Sequence, residues 1–135
     1  MCIRDSFFSY VSQVPAYAGM FYFQKGMLDF YHRRNFRTAV RDFDVADHLF
    51  DIERKTLIYP RVSWPERAQY HRAVAQLHSW HPRKALKDFD RLVRTPSDVP
   101  AEYWNSIYRH KGLAHLGLGQ IRLALEWLRK ARSSG

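Results

Sequence analysis

Seven histidines, closely spaced aspartates and a single cysteine are the side chains of this chain best suited to chemistry. His78 and His81 stand three apart, and His71 lies two turns before His78. Zinc needs three or four converging ligands, usually completed by Cys or carboxylate. Pro82 ends the helix that carries His78, so His81 falls in the turn beyond it. His110 and His115, five apart, face different sides of a helix. These spacings give no metal site. Asp42 with Asp44, and Asp88 with Asp90, could suggest acid–base pairs. Their neighbours Arg41, Lys84 and Lys87 point instead to charge pairing on helix surfaces. The chain has no Gly-x-Ser-x-Gly elbow and no phosphate-cradling glycine loop. No catalytic residue, cofactor or small-molecule substrate is inferred.

A short phrase recurs: Arg37-Thr38-Ala39-Val40, Arg83-Lys84-Ala85-Leu86 and Arg122-Leu123-Ala124-Leu125. Each continues one turn on with an apolar residue, Phe43 in Asp42-Phe43-Asp44, Phe89 in Asp88-Phe89-Asp90, and Leu128. The alanines are 46 and 39 residues apart. Such self-similarity marks stacked helical units rather than one core with a cleft. Apolar residues at 3- and 4-residue steps predict six helices in three pairs.

The first helix carries Met20, Phe23, Met27 and Phe30. The second, capped by Asn35, carries Phe36, Ala39, Phe43, Ala46 and Phe50 and runs to Lys55 through an Asp51–Lys55 pair. A loop over 56–62 contains Tyr59-Pro60, and Ser63-Trp64-Pro65-Glu66 reads as a capping box for the third helix. The fourth begins at His81-Pro82. Asp98 is expected to cap the fifth, which ends at Gly117-Leu118-Gly119. The sixth, Gln120 to Arg132, is expected to bury Ile121, Ala124, Leu125, Leu128 and Ala131. Short turns make each pair antiparallel, with Ala39, Ala85 and Ala124 where the second helix crosses the first.

This pattern resembles the tetratricopeptide repeat. Tyr108, Gly112, Gly119, Ala124 and Ala131 fall at that family's aromatic, small, turn and alanine places. Phe23, Phe30, Asn35-Phe36, Ala39, Phe43 and Ala46 match in the first unit, and Ala73, Ala85, Phe89 and Leu92 in the second. The family period is ~34 residues, so the extra length here sits between pairs, chiefly around Arg54 to Val62. The expected fold is all-α: three antiparallel helix-turn-helix hairpins stacked as a short TPR-like α-solenoid over 15–132 (about 15–55, 64–95 and 98–132). The resemblance implies a groove lined by the first helix of each pair. Its candidate partner-binding residues are Gln24, Leu28, Tyr31, Tyr70, Val74, His78, Arg109, Leu113 and Leu116. The carboxylate-clamp positions of the chaperone-binding subgroup hold Gln24, Leu28, His71, Ser106 and His110, which do not support that role. The function implied is a non-catalytic protein-interaction scaffold whose partner is an acidic or amphipathic segment.

The net charge of +9 admits acidic proteins, nucleic acid and anionic membranes as partners. Arg33, Arg34, Arg37 and Arg41 form a candidate basic patch near the start of the second helix, while Asp47, Asp51 and Glu53 occupy its other end, against the helix dipole. The alternative function is a basic accessory subunit of a mitochondrial or ribonucleoprotein assembly, contacting RNA phosphates. The uncharged run Ser6–Gln24 includes Ser9, Ser12, Gln13 and Pro15, which argue against a membrane span. Residues 1–6, Met1-Cys2-Ile3-Arg4-Asp5-Ser6, resemble a translated sequencing adapter. On that reading 7–14 is a truncated segment, Cys2 is not native, and targeting information is lost with the true N-terminus. The compartment is left unknown by the sequence, with an intracellular location favoured.

Overall fold

In the first turn of every hairpin's second helix, a packed alanine stands two residues after an arginine, where the second helix crosses the first. The computed structural model describes residues 15–56 and 63–134, with side chains from 18 to 54 and from 63 to 134. The helices are α1 (Pro15–Tyr31), α2 (Phe36–Thr56), α3 (Trp64–His78), α4 (Pro82–Arg94), α5 (Trp104–Gly117) and α6 (Ile121–Ser134). Two 3-10 turns, Pro96–Asp98 and Ala101–Tyr103, precede α5. Among the described residues there is no strand, and no helix is long and apolar enough to cross a membrane. The fold is all-α and built of helical hairpins. The expected Asp51–Lys55 pair, the Tyr59-Pro60 loop and everything before residue 15 lie outside the described side chains.

Each helix packs on the next in chain order, and α3 also touches α5. Ala39, Ala85 and Ala124 are buried, as the crossings require. In the first hairpin Phe23, Phe43 and Phe50 fill the space between α1 and α2. Phe89, Leu92 and Ile107 do the same around α4. Full burial of one such side chain contributes roughly 1.5–3 kcal/mol. The packing leaves no room for a side chain at Gly19, Gly26 and Gly112, and a Cβ on Gly19 would sit 2.6 Å from the Phe50 ring. A Cβ on Gly26 would sit 2.7 Å from the Phe43 ring, and one on Gly112 2.8 Å from Leu128.

A second repeat, in the first helices, becomes visible once the hairpins are folded. Lys25-Gly26, Arg72-Ala73 and Lys111-Gly112 occupy equivalent places. Within its own hairpin, each cation meets the residue before the packed Phe or Leu. Lys25 lies 3.0 Å from Asp42, Arg72 2.7 Å from Asp88, and Lys111 Nζ 3.8 Å from the Trp127 ring centroid. The second Asp of each Asp-Phe-Asp phrase reaches the following hairpin. Asp44 pairs with Arg72 at 2.8 Å and Asp90 with Lys111 at 2.7 Å. The aspartates expected to pair along helix surfaces therefore bridge helices instead. Asp42 and Asp88 are buried, so only a partner on a facing helix can compensate their lost hydration.

Three further expectations are corrected. Ser63 takes a left-handed conformation (φ 74) with no side-chain cap, and Glu66 pairs with Arg54 at 2.8 Å instead of closing a capping box. Asp98 does not cap α5. Pro100 holds Val99 extended (φ −96, ψ 128), and α5 starts only at Trp104. Ile121 and Leu125 are exposed rather than buried, because among the described residues α6 packs chiefly on α5. The Asn35 cap is present, its Oδ1 accepting from the Thr38 N–H at 3.3 Å.

Candidate functional site

Helices α1 and α3 run side by side in the same direction, as two ring contacts one heptad apart show. Phe23 meets His71 with centroids 5.5 Å apart, and Phe30 meets His78 at 5.0 Å. On the other flank, Tyr70 packs on Tyr103 at 4.6 Å, and its hydroxyl bonds Ser106. The first helices of the outer hairpins thus flank that of the middle one, and the expected groove face is the one that would run across all three.

On that face Gln24, Leu28 and Tyr31 of α1 are exposed, as are His78 of α3 and Arg109, Leu113 and Leu116 of α5. Tyr70 is half-buried at the centre. Val74 is not available to a partner: it is buried among Ala73, Phe89 and Ile107, with Phe30 and Tyr70 packed over the cluster. The reason is geometric. Helix α3 is flanked on both sides, so its solvent-facing stripe is narrower than those of α1 and α5.

The electrostatics of the face are simple. Burial pushes the Tyr70 hydroxyl up, with Tyr31 adding to the shift and Arg109 opposing it. Burial holds His110 down, helped by Arg109 and His78. His71, behind the face among Phe23, Phe43, Tyr70 and Tyr103, is pushed down to about 4 by burial and by Arg67. Arg109 is an exposed cation beside Tyr70 and His110, and Arg67, over the Tyr103 ring at 5.6 Å, is a second cation on α3.

Ser106 Oγ and His110 Nδ1 lie 3.1 Å apart, a distance that invites comparison with a nucleophile and its base. The same Nδ1 stands 2.8 Å from the Ser106 carbonyl, which only accepts. An Nδ1–H donating to that carbonyl cannot take a proton from the hydroxyl. Among the described residues, no three His, Cys, Asp or Glu side chains come together as a metal-holding group.

The structure divides the four arginines of the basic patch. Arg33, Arg34 and Arg37 line an open recess at the α1–α2 turn together with His78 and Trp80. Arg41 lines a different recess, around Arg72 and Asp88, with Lys84, Lys87 and Arg91. The sequence analysis assigned Trp80 no role. Its signal was present: an aromatic residue in a polar turn between a histidine pair.

No protein-family model, curated protein or solved structure matches the chain.

Proposed function

We propose that the chain is a non-catalytic interaction scaffold of tetratricopeptide-like type, whose α1–α3–α5 face receives an amphipathic, acidic segment of another protein. The observation that carries this reading is the pair of exposed apolar flanks on α1 and α5, with the cationic Arg109 beside them. Leu28 and Tyr31 are 50% and 54% exposed on one side, and Leu113 and Leu116 are 44% and 50% exposed on the other. Tyr70 and Arg109 lie between them. An incoming helix could bury its apolar stripe on the leucines and direct a carboxylate at Arg109. Serial helix contacts and repeated alanine crossings support the stacked-repeat reading, in which such a face is the natural docking surface.

The test is selection of short amphipathic peptides against the full chain, followed by titration on variants. Leu28→Glu and Leu113→Glu alter exposed positions and should leave the melting temperature nearly unchanged. Each is expected to weaken the selected peptides by roughly tenfold or more, the scale of losing one apolar anchor. Peptides that bind both variants as tightly as the parent chain would refute the assignment of this face.

A further inference from the structure

The turns of the three hairpins gather at one end of the molecule. Phe36 meets His78 at 5.1 Å, and a Cβ on Gly117 would lie 3.7 Å from Pro82. The segments forming this end, residues 32–41, 78–87 and 115–125, hold Arg33, Arg34, Arg37, Arg83, Lys84 and Arg122 among their cations and no Asp or Glu. Asp29, in the last turn of α1, is a carboxylate beside this end, and it is buried and paired with Lys25 at 3.0 Å. Between the first two turns lies an open recess of about 420 Å³ lined by Arg33, Arg34, Arg37, His78 and Trp80, again with no acidic residue. Arg33 also pairs with Asp29 at 3.2 Å, while its side chain stays 69% exposed.

Trp80 is the decisive residue. It is 89% exposed, the highest value among the exposed large hydrophobic side chains. It also takes a left-handed conformation, φ 64, which a bulky side chain tolerates poorly. The turn itself does not need it. Trp80 N–H bonds the Leu77 carbonyl at 3.1 Å and His81 N–H the Gln76 carbonyl at 2.8 Å. Gly119 and Gln120 make the same two bonds, at 3.0 and 2.9 Å, with glycine at φ 75. Glycine is the low-strain choice for this position. The indole buries almost nothing and sits in a costly backbone conformation, so no folding role accounts for it.

An open aromatic face beside cations is the arrangement by which proteins hold unpaired bases while tracking phosphates. We propose that the hairpin-turn end binds single-stranded nucleic acid, with a base stacked on Trp80 and phosphates on Arg33, Arg34 and Arg37. An acidic peptide would satisfy the arginines, but a flexible single strand also offers a flat base to the open indole for every phosphate it brings, and that pairing is the one proposed. The site is separate from the α1–α3–α5 face apart from His78, at their shared border.

The test is binding of a labelled short oligouridylate to the full chain, followed by anisotropy across salt. Affinity should fall with salt at a log–log slope of roughly −2, about −0.7 for each phosphate neutralised on a single strand. Arg34→Gln and Arg37→Gln should each reduce the magnitude of that slope by roughly 0.7. Trp80→Ala should weaken binding roughly 5- to 100-fold. Trp80→Gly should weaken it as much while raising the melting temperature, which separates lost stacking from lost folding. No binding at roughly 50 mM salt, or Trp80 variants binding like the parent chain, would overturn the proposal. So would displacement of the RNA by polyglutamate with affinity indifferent to Trp80, which would assign the edge to acidic protein instead. Leu113→Glu, on α5, should leave RNA binding unchanged, so each reading can fail without the other.

Discussion

Arg72 carries more of the structure than any residue singled out by chemical type. Its side chain is 10% exposed and meets Asp88 through two nitrogens, at 2.9 and 2.7 Å. It also reaches Asp44 and Asp47 on α2. Losing one partner of such a buried pair typically costs 3–5 kcal/mol. The 72%-exposed Asp44 adds little, because water screens it.

Two other buried groups give stability opposing pH dependences. His71 titrates at about 4 when folded, against an ordinary 6.5. As pH falls through that window the unfolded chain takes a proton that the folded chain refuses, so stability drops, in total by on the order of 3 kcal/mol. Asp42 behaves in the opposite sense. Burial and the neighbouring Asp29 carboxyl push it up to about 6 from 3.8, against the pull of Lys25. The folded chain holds that proton longer, so the Asp42 contribution is full below pH 3.8 and disappears as pH rises to about 6. Urea midpoints for Asp42→Asn should therefore rise with pH across this range, and those for His71→Phe should fall. Slopes of the same sign in both variants would contradict these environments.

At the scale of elements, the close approach of the helices at Gly26 and Gly112 decides which substitutions the hairpins accept. Alanine favours helix over glycine by about 1 kcal/mol. At Gly26 the added methyl would meet the Phe43 ring at 2.7 Å, and at Gly112 the Leu128 side chain at 2.8 Å. Overpacking of this kind costs about 1–3 kcal/mol. Gly117 is the comparison, since its methyl would meet Pro82 only at ordinary contact distance, 3.7 Å. Gly26→Ala and Gly112→Ala should lower the melting temperature while Gly117→Ala raises it. A rise in all three would mean that the helices do not approach as closely as described.

For the whole molecule, charge pairs join each hairpin to the next. Asp44 reaches Arg72 and Asp90 reaches Lys111, but the equivalent place in the third hairpin holds Arg129. That position cannot accept another cation in the same way. The burial is uneven as well. Helix α2 buries Ala39, Phe43, Ala46, Leu49 and Phe50, whereas α6 buries only Ala124 and Ala131. Arrays whose units touch only their neighbours open from the least buried unit. Hydrogen exchange should therefore show α6 opening first and the α2–α3 interface last. Uniform protection across all six helices would show instead a single cooperative unit.

The sequence by itself determined the helices, their pairing and the alanine crossings, because period and residue size act over one or two turns. Asn35 capped as read, and Gly119 took the left-handed turn, each by bonds to residues close in the chain. Tertiary structure decided where the charges went. Glu66 left its expected cap for Arg54 twelve residues away, and Asp88 turned to Arg72 sixteen away. It also closed α3 in between its neighbours, which removed Val74 from the proposed face, and left Trp80 bare at the turn end. Burial and the choice among ionic partners depend on neighbours distant in sequence. Spacing along one helix does not encode them.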